Sequence, residues 1–161
     1  MRTLSSYSVR PLDLSATAMP ITALIIDDDE LFADTVAFVL EQEDYTVFKA
    51  RSGVEGLEIA REHVPDIVFC DVHMRNGHGY AVAQALRERP EMVRAPIIMM
   101  TGNASPFGES RSRSSGADRY LSKPFSVSDL LAVVKDAMEE KRSAARLRSS
   151  DVIFPTYPPR G

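Results

Sequence analysis

The sequence predicts an α/β protein in which helices cover both faces of a parallel β-sheet. Short apolar runs alternate along the chain with longer segments of helical period, which is typical of repeated strand-helix units. The 161 residues are 44% hydrophobic and 26% charged, the balance of a globular protein with a packed core. This length accommodates one domain of ordinary size with short tails.

Five strand candidates follow one another along the chain. Each is a short, mostly apolar run of the kind that forms a strand buried on both faces of a parallel sheet. Longer segments separate these runs, so a helix can connect each strand to the next in parallel orientation. The candidates are residues 23–26, 45–50, 67–70, 97–100 and 119–122.

Helix candidates lie between and after the strands. We expect helices over residues 30–43, from about Ser52, over residues 80–89 and from Ser126. Glu55 has capping-box spacing from Ser52, and Asp129 has the same spacing from Ser126. The positions predicted to face inward are Phe32, Val36, Val39 and Leu40 in the first helix, Val54, Leu57, Ile59 and Ala60 in the second, and Val127, Leu130, Leu131, Val134 and Met138 in the last.

The segment before the fifth strand breaks this regular pattern. Residues 105–116 contain many serines, and Gly108 lies within them. Serine and glycine are weaker helix formers than alanine. We therefore expect a labile or distorted helix in this segment.

The two ends of the chain differ in composition from its centre. We expect a flexible extension over residues 1–20, a folded domain over 21–142, and a basic, proline-rich tail over 143–161. The first twenty residues contain no apolar segment of the signal-peptide kind, and no apolar run approaches the roughly 20 residues that span a bilayer. The sequence therefore predicts a cytoplasmic protein without membrane insertion.

Charge is distributed unevenly along the chain. Residues 21–140 hold 12 basic and 21 acidic side chains, whereas residues 141–161 hold five basic and one acidic. Nucleic acid is a poor partner for so acidic a body, because its binding depends on Lys and Arg that neutralise phosphates. Divalent cations are better candidates. The single cysteine, Cys70, excludes an internal disulfide or a multi-cysteine metal site.

Polar side chains follow four of the strand candidates. Asp27 and Asp28 follow the first, Asp71 the third, Thr101 the fourth and Lys123 the fifth. Open parallel sheets bind ligands beyond the carboxyl ends of their strands, so we expect these side chains to converge. Each one alone has an ordinary explanation as a helix cap or turn residue. Their coincidence at one edge favours a functional site.

In combination, four segments resemble the receiver domain of two-component response regulators. They are residues 24–28 (LIIDD), 65–74 (PDIVFCDVHM), 96–101 (PIIMMT) and 116–125 (GADRYLSKPF). The resemblance covers about residues 21–140 and implies a flavodoxin-like, doubly wound, five-stranded parallel sheet of order 2-1-3-4-5. It implies these residue roles: Asp71 as phosphoacceptor, Asp27 and Asp28 as the acidic metal pair, the backbone carbonyl of His73 as a further metal ligand, Thr101 and Lys123 as phosphate contacts, and Tyr120 as the aromatic switch residue.

The chemistry of these residue types agrees with such roles. Two carboxylates 4 Å apart repel by about 4 kcal/mol at an effective dielectric near 20, so three of them favour a dication. Mg²⁺ prefers oxygen ligands, and we expect Asp28 and Asp71 to bind it directly and Asp27 through water. A carboxylate can accept a phosphoryl group, and Lys123 and Thr101 can then contact the phosphoryl oxygens.

The expected function is that of a single-domain regulator. A sensor histidine kinase or histidine phosphotransfer protein would transfer a phosphoryl group to Asp71, and binding to a downstream protein target would change. Such a regulator assists its own phosphorylation and dephosphorylation without being an enzyme in the ordinary sense. The resemblance also implies a cis peptide bond between Lys123 and Pro124.

Other functions remain open at this point. A Mg²⁺-dependent phosphatase with an aspartyl-phosphate intermediate would want a second acid/base carboxylate where His73 stands. A receiver-like module that binds partners without phosphorylation is opposed by the presence of all the expected site residues. A nucleotide-binding protein is weaker still, because no glycine-rich phosphate loop follows the first strand.

The loop after Asp71 departs from the family pattern. Arg75 stands where the family usually has proline, and His78 stands where Asp or Asn is common. His73 and His78 form a possible transition-metal pair, although exposed loop histidines are more often solvated. We expect this loop to be flexible because it contains Asn76, Gly77 and Gly79.

Overall fold

A computed structural model describes residues 19–102 and 114–150 of the chain. Its main sheet has five strands, and each hydrogen-bonded pair of neighbours is parallel. The strand order is β2-β1-β3-β4-β5, which confirms the expected doubly wound topology. The strands are β1 (Ile21–Ile26), β2 (Tyr45–Ala50), β3 (Ile67–Asp71), β4 (Ile97–Thr101) and β5 (Arg119–Ser122).

Helices connect these strands and cover the sheet. The α-helices that lie wholly within the described ranges are α1 (Glu30–Gln42), α2 (Gly53–His63), α3 (Gly79–Arg87) and α4 (Val127–Ser150). A 3₁₀ turn at Pro90–Met92 follows α3. Between β3 and α3, two short strands, His73–Met74 and Gly77–His78, pair as an antiparallel hairpin.

Local hydrogen bonds explain where α2 and α4 begin. The Ser52 hydroxyl accepts a hydrogen bond from the backbone N–H of Glu55 at 3.2 Å, but the Glu55 carboxylate accepts one from Arg51 instead of from Ser52. At α4, the Asp129 carboxylate accepts a hydrogen bond from the Ser126 N–H at 3.0 Å, and the Ser126 hydroxyl accepts one from the Asp129 N–H at 3.1 Å. The second pair is therefore the reciprocal capping box that the sequence predicts.

Each face of the sheet carries its own apolar core. Successive strand residues point to opposite faces, so the central strands contribute large side chains to both. Ile25 and Phe69 pack with α1 and α4 on one face. Leu24 and Cys70 pack with α2 and α3 on the other. This double burial accounts for the continuous apolar runs of the central strands.

Two positions expected to face inward are exposed. Val54 is 71% exposed and Val127 is 55% exposed, so the prediction that they face the core is wrong. In α2 the sheet-facing position is taken by Gly56, where an added Cβ would lie 2.5 Å from Ile26 Cδ1. The glycine lets α2 approach β1 closely, which leaves no room for a larger inward side chain.

The bounds of several elements differ from the expected ones. Helix α3 ends at Arg87, two residues before the end of the expected range 80–89, because the 3₁₀ turn takes over at Pro90. Helix α4 includes residues 143–150 of the expected tail. The distorted helix expected over 105–116 and the flexible extension over 1–20 lie mostly outside the described residues, as do residues 151–161. None of the helices in the described ranges combines the length and apolarity that crossing a membrane requires.

Candidate functional site

Asp27 lies at the carboxyl end of β1 and is buried, with 1% of its surface exposed. Its backbone N–H donates to the carbonyl of Ala50 at 3.0 Å, which extends the pairing between β1 and β2. Its carboxylate accepts hydrogen bonds from the Asp29 N–H at 2.9 Å and from Lys123 Nζ at 2.7 Å. A charge this deeply buried requires a partner, and Lys123 provides it.

Asp71 ends β3 and lies beside the same lysine. Its Oδ1 is 3.1 Å from Lys123 Nζ. Burial raises the pKa of Asp71, and the charges of Asp27 and Asp28 raise it further, while Lys123 offsets only part of this effect. The crowded carboxylates therefore disfavour the ionised form of Asp71 when no other cation is present.

Lys123 connects the two buried carboxylates. Burial by itself lowers the pKa of an ammonium group, but the hydrogen bonds and charges of Asp27 and Asp71 outweigh it, so the pKa of Lys123 is raised. Its Nζ also lies 3.9 Å from the centroid of the Phe32 ring, and Phe32 packs edge-to-face against Phe125. The aromatic ring covers one side of the ammonium and attracts it. The Lys123–Pro124 peptide bond is cis.

Asp28 faces the hairpin that follows β3. Its Oδ2 accepts two hydrogen bonds from Arg75, one from the backbone N–H at 2.9 Å and one from Nε at 3.1 Å. The Arg75 N–H is the largest of the causes that hold the pKa of Asp28 below its ordinary value. The hairpin therefore contacts a residue that the sequence places in the acidic site.

The structure brings the three predicted carboxylates together. One oxygen from each of Asp27, Asp28 and Asp71 lies within 4.8 Å of the others. Three carboxylate oxygens at this separation fit a hard divalent cation such as Mg²⁺, which takes one or two carboxylates and completes its shell with other oxygens. Lys123 balances only part of the negative charge, so a dication would relieve the remaining repulsion.

The remaining predicted residues lie on adjacent elements. Thr101 ends β4, is 1% exposed, and accepts a hydrogen bond at its backbone oxygen from the Lys123 N–H at 2.6 Å. Tyr120 is partly exposed in β5, in register with Met99 of β4. His73 is exposed in the hairpin, where it pairs with His78.

Gly79 supports the site from behind. Its N–H donates to the Val72 carbonyl at 3.0 Å. A Cβ added to Gly79 would lie 2.0 Å from the Asp71 carbonyl oxygen, so any larger residue requires the backbone to move. The first residue of α3 therefore packs directly against the backbone of Asp71, at a distance that only glycine allows.

Three of these contributions are missed by the sequence analysis. Arg75 is identified there only as a departure from the usual proline, Phe32 only as a core-facing helix position, and Gly79 only as part of a flexible loop. The position of Phe32 on α1, one turn after the acidic pair, could have predicted an aromatic ring that packs over Lys123. No sequence signal indicates that Arg75 turns back to Asp28, because that direction depends on the hairpin.

Comparison with known proteins decides which family has this arrangement. The response regulator receiver domain model matches residues 23–135. The chain belongs to the response regulator receiver domain family. It is 32% identical over 117 residues to the polar-differentiation response regulator DivK of Brucella anthropi, a match that covers 73% of this chain and 95% of that protein.

Solved structures of other receiver domains have the same fold. The chemotaxis protein CheY4 of Vibrio cholerae is 28% identical, with a TM-score of 0.72 and coverage of 74% of this chain and 99% of that one. A putative response regulator from Chloroflexus aurantiacus is 33% identical, with a TM-score of 0.71 and coverage of 75% and 99%.

Family membership establishes the general function of the chain. Receiver domains are phosphoacceptor signalling domains of two-component systems, and they act as regulators and not as classical enzymes. They interact with histidine kinases or phosphotransfer proteins and with downstream targets, and the family binds Mg²⁺ at an acidic pocket. The phosphatase and the phosphorylation-independent module are not favoured by this membership.

Proposed function

We propose that Asp71 accepts a phosphoryl group from the phosphohistidine of a sensor histidine kinase or histidine phosphotransfer protein. The observation that most supports this role is the group of three carboxylates within 4.8 Å, joined to Lys123. Asp71 ends the middle strand of the sheet and is the carboxylate that the resemblance assigns as phosphoacceptor. The proposed metal ligands are Asp27, Asp28, Asp71 and the backbone carbonyl of His73.

The transfer requires few chemical steps from the protein. A carboxylate oxygen of Asp71 forms a bond to phosphorus while the bond from phosphorus to the donor histidine nitrogen breaks. Bound Mg²⁺ supplies the charge neutralisation that brings three carboxylates and a phosphoryl group together. Lys123, which is 3.1 Å from Asp71 Oδ1, is positioned to contact a phosphoryl oxygen, and the Thr101 hydroxyl is proposed to donate to another.

The proposed output is a change in the elements next to Asp71. The new phosphoryl contacts would bias the positions of Thr101 and Tyr120, which lie on the adjacent strands β4 and β5. We expect amide exchange over residues 102–120 to differ with and without beryllofluoride, a phosphoryl mimic. Identical exchange over these residues would argue against a switch here.

Incubation with acetyl phosphate and Mg²⁺ tests the phosphoacceptor. We expect intact mass spectrometry to detect one added phosphate on the wild type and none on Asp71→Asn. Asp34→Asn, which removes a half-exposed carboxylate on α1, is the matched control and should be phosphorylated like the wild type. An unchanged phosphate yield in Asp71→Asn would overturn the assignment.

A steady-state assay separates this role from the phosphatase alternative. The position two residues after Asp71 is His73, so the second acid/base carboxylate of such a phosphatase is not at this position. We expect no continuing turnover of small phosphomonoesters. Sustained, Asp71-dependent turnover would favour the phosphatase.

We propose residues 21–142 as the receiver domain, with the extension and the tail on either side of it. Helix α4 continues beyond residue 142, so part of the tail is a solvated extension of that helix. The proposed location is the cytoplasm, as the sequence predicts. Affinity capture with phosphorylated and unphosphorylated chain is the direct way to identify the kinase and the target.

A further inference from the structure

We propose that the side chain of Arg75 competes with the divalent cation for the acidic site. The inference rests on the proposed metal site, and it concerns a residue for which the family usually has proline. Arg75 lies between the two strands of the hairpin and contacts Asp28, which is 47 residues earlier in the chain. Proline offers neither a charge nor a backbone N–H for this contact.

The two contacts between Arg75 and Asp28 have different consequences. The backbone N–H is neutral overall and occupies only one direction of Oδ2, so it is compatible with an ion on the remaining carboxylate lone pairs. The guanidinium carries a full positive charge and lies against the same oxygen. A dication and this guanidinium repel each other when both are bound to one carboxylate.

The guanidinium is able to leave the site. The Arg75 side chain is 85% exposed and contacts Asp28 through Nε alone, without the bidentate geometry of a strong pair. An exposed ion pair of this kind contributes little stability, so a dication displaces it at small cost. Lys123 differs, because its side chain is only 19% exposed and its ammonium contacts Asp27, Asp71 and Phe32.

The charge balance shows what the competition does. In the metal-free site, three carboxylates face the positive side chains of Lys123 and Arg75, and one negative charge remains in excess. Without Arg75 the excess doubles, which strengthens the attraction for a dication. Arg75 therefore reduces repulsion in the metal-free site and raises the Mg²⁺ concentration needed to fill it.

Titration with MgCl₂, followed by amide NMR shifts of residues 27, 28 and 71, measures this effect. We expect Arg75→Gln to bind Mg²⁺ about 3- to 10-fold more tightly than the wild type at low salt, with a smaller difference at high salt. Arg75→Lys should restore most of the wild-type affinity. Arg94→Gln makes the same charge change at an exposed position before β4, at the opposite edge of the sheet, and should match the wild type.

Thermal unfolding distinguishes competition from a merely structural role. We expect Mg²⁺ to raise the melting temperature of Arg75→Gln more than that of the wild type, because the variant binds the ion more tightly. A structural role lowers the melting temperature equally with and without Mg²⁺. That result, or an Mg²⁺ affinity unchanged in Arg75→Gln, overturns the competition. Absence of Mg²⁺-dependent shifts in both the wild type and the variant overturns the metal site as well.

Discussion

Replacing Lys123 with methionine tests how the fold tolerates its acidic cluster. Methionine retains an unbranched side chain against Phe32 but removes the ammonium, which lies 2.7 Å from Asp27 Oδ2 and 3.1 Å from Asp71 Oδ1. Removing one partner of a buried ion pair costs about 3–5 kcal/mol, because the other charge stays buried. A carboxylate left without its cation can bind a proton instead, and with the ordinary pKa of 3.8 this costs no more than about 4 kcal/mol at pH 7.

We therefore expect Lys123→Met to lose about 3–4 kcal/mol of unfolding free energy in EDTA at pH 7. For a chain of this size, the loss corresponds to a melting temperature lower by about 10 °C. Urea unfolding measures it. Lys49→Met is the matched control, because Lys49 and its partner Asp34 are both about half-exposed, and this pair should be worth less than about 1 kcal/mol.

The pH dependence provides an independent check on the cause. The pKa of Asp71 is raised in the fold above its ordinary 3.8, so the folded chain binds this proton more readily than the unfolded chain. The stability that Asp71 contributes is complete below that ordinary value and is lost as pH rises through the folded pKa. Lys123 lowers the pKa of Asp71, so its removal raises that pKa further and makes Lys123→Met gain more stability from protonation than the wild type does. The deficit of Lys123→Met should therefore shrink as pH falls from 7. Equal losses in Lys123→Met and Lys49→Met, or a deficit independent of pH, would refute the reasoning.

Three further substitutions test other parts of the structure. Asp28→Asn should weaken Mg²⁺ binding at least about tenfold in the NMR titration, since it removes a charged ligand; equal affinity would contradict this role. Gly79→Ala should lose about 2 kcal/mol or more in urea unfolding because its Cβ collides with the Asp71 carbonyl, whereas Gly102→Ala, whose Cβ meets nothing within 4 Å among the described residues, should lose much less. Phe69→Ala should lose about 3–5 kcal/mol by leaving a cavity, and a loss below about 1 kcal/mol would be inconsistent with its full burial.

Much of the fold is predictable because both cores impose a pattern on the chain. The strands at 45–50 and 119–122 have the bounds that their apolar runs predict. Strand β1 begins two residues before the predicted run, because the polar Thr22 interrupts the apolar pattern without ending the strand. The extension of α4 over residues 143–150 is not predictable from apolar periodicity, since this stretch is rich in Arg, Ala and Ser and is exposed where it is described. Good helix formers continue the helix there without a core-facing stripe.

The acidic site is predictable for a geometric reason. Residues that follow parallel strands share one edge of the sheet, so Asp27, Asp71 and Lys123 meet there whatever the loops do. The contacts of Arg75 and Phe32 depend instead on side-chain directions within a hairpin and a helix. Their residue types are readable from the sequence, but their partners are not.

The close approach of Gly79 to Asp71 determines where a disturbance at Asp71 can go. The Asp71 backbone has a helix directly against its carbonyl, and Cys70 and the rest of β3 are fully enclosed. The backbone behind the Asp71 carboxylate is therefore closely packed and has little room to move. Tightly packed interiors pass such a push along instead of absorbing it. In the proposed function, this packing directs the response to phosphorylation sideways, toward the carboxyl ends of the neighbouring strands.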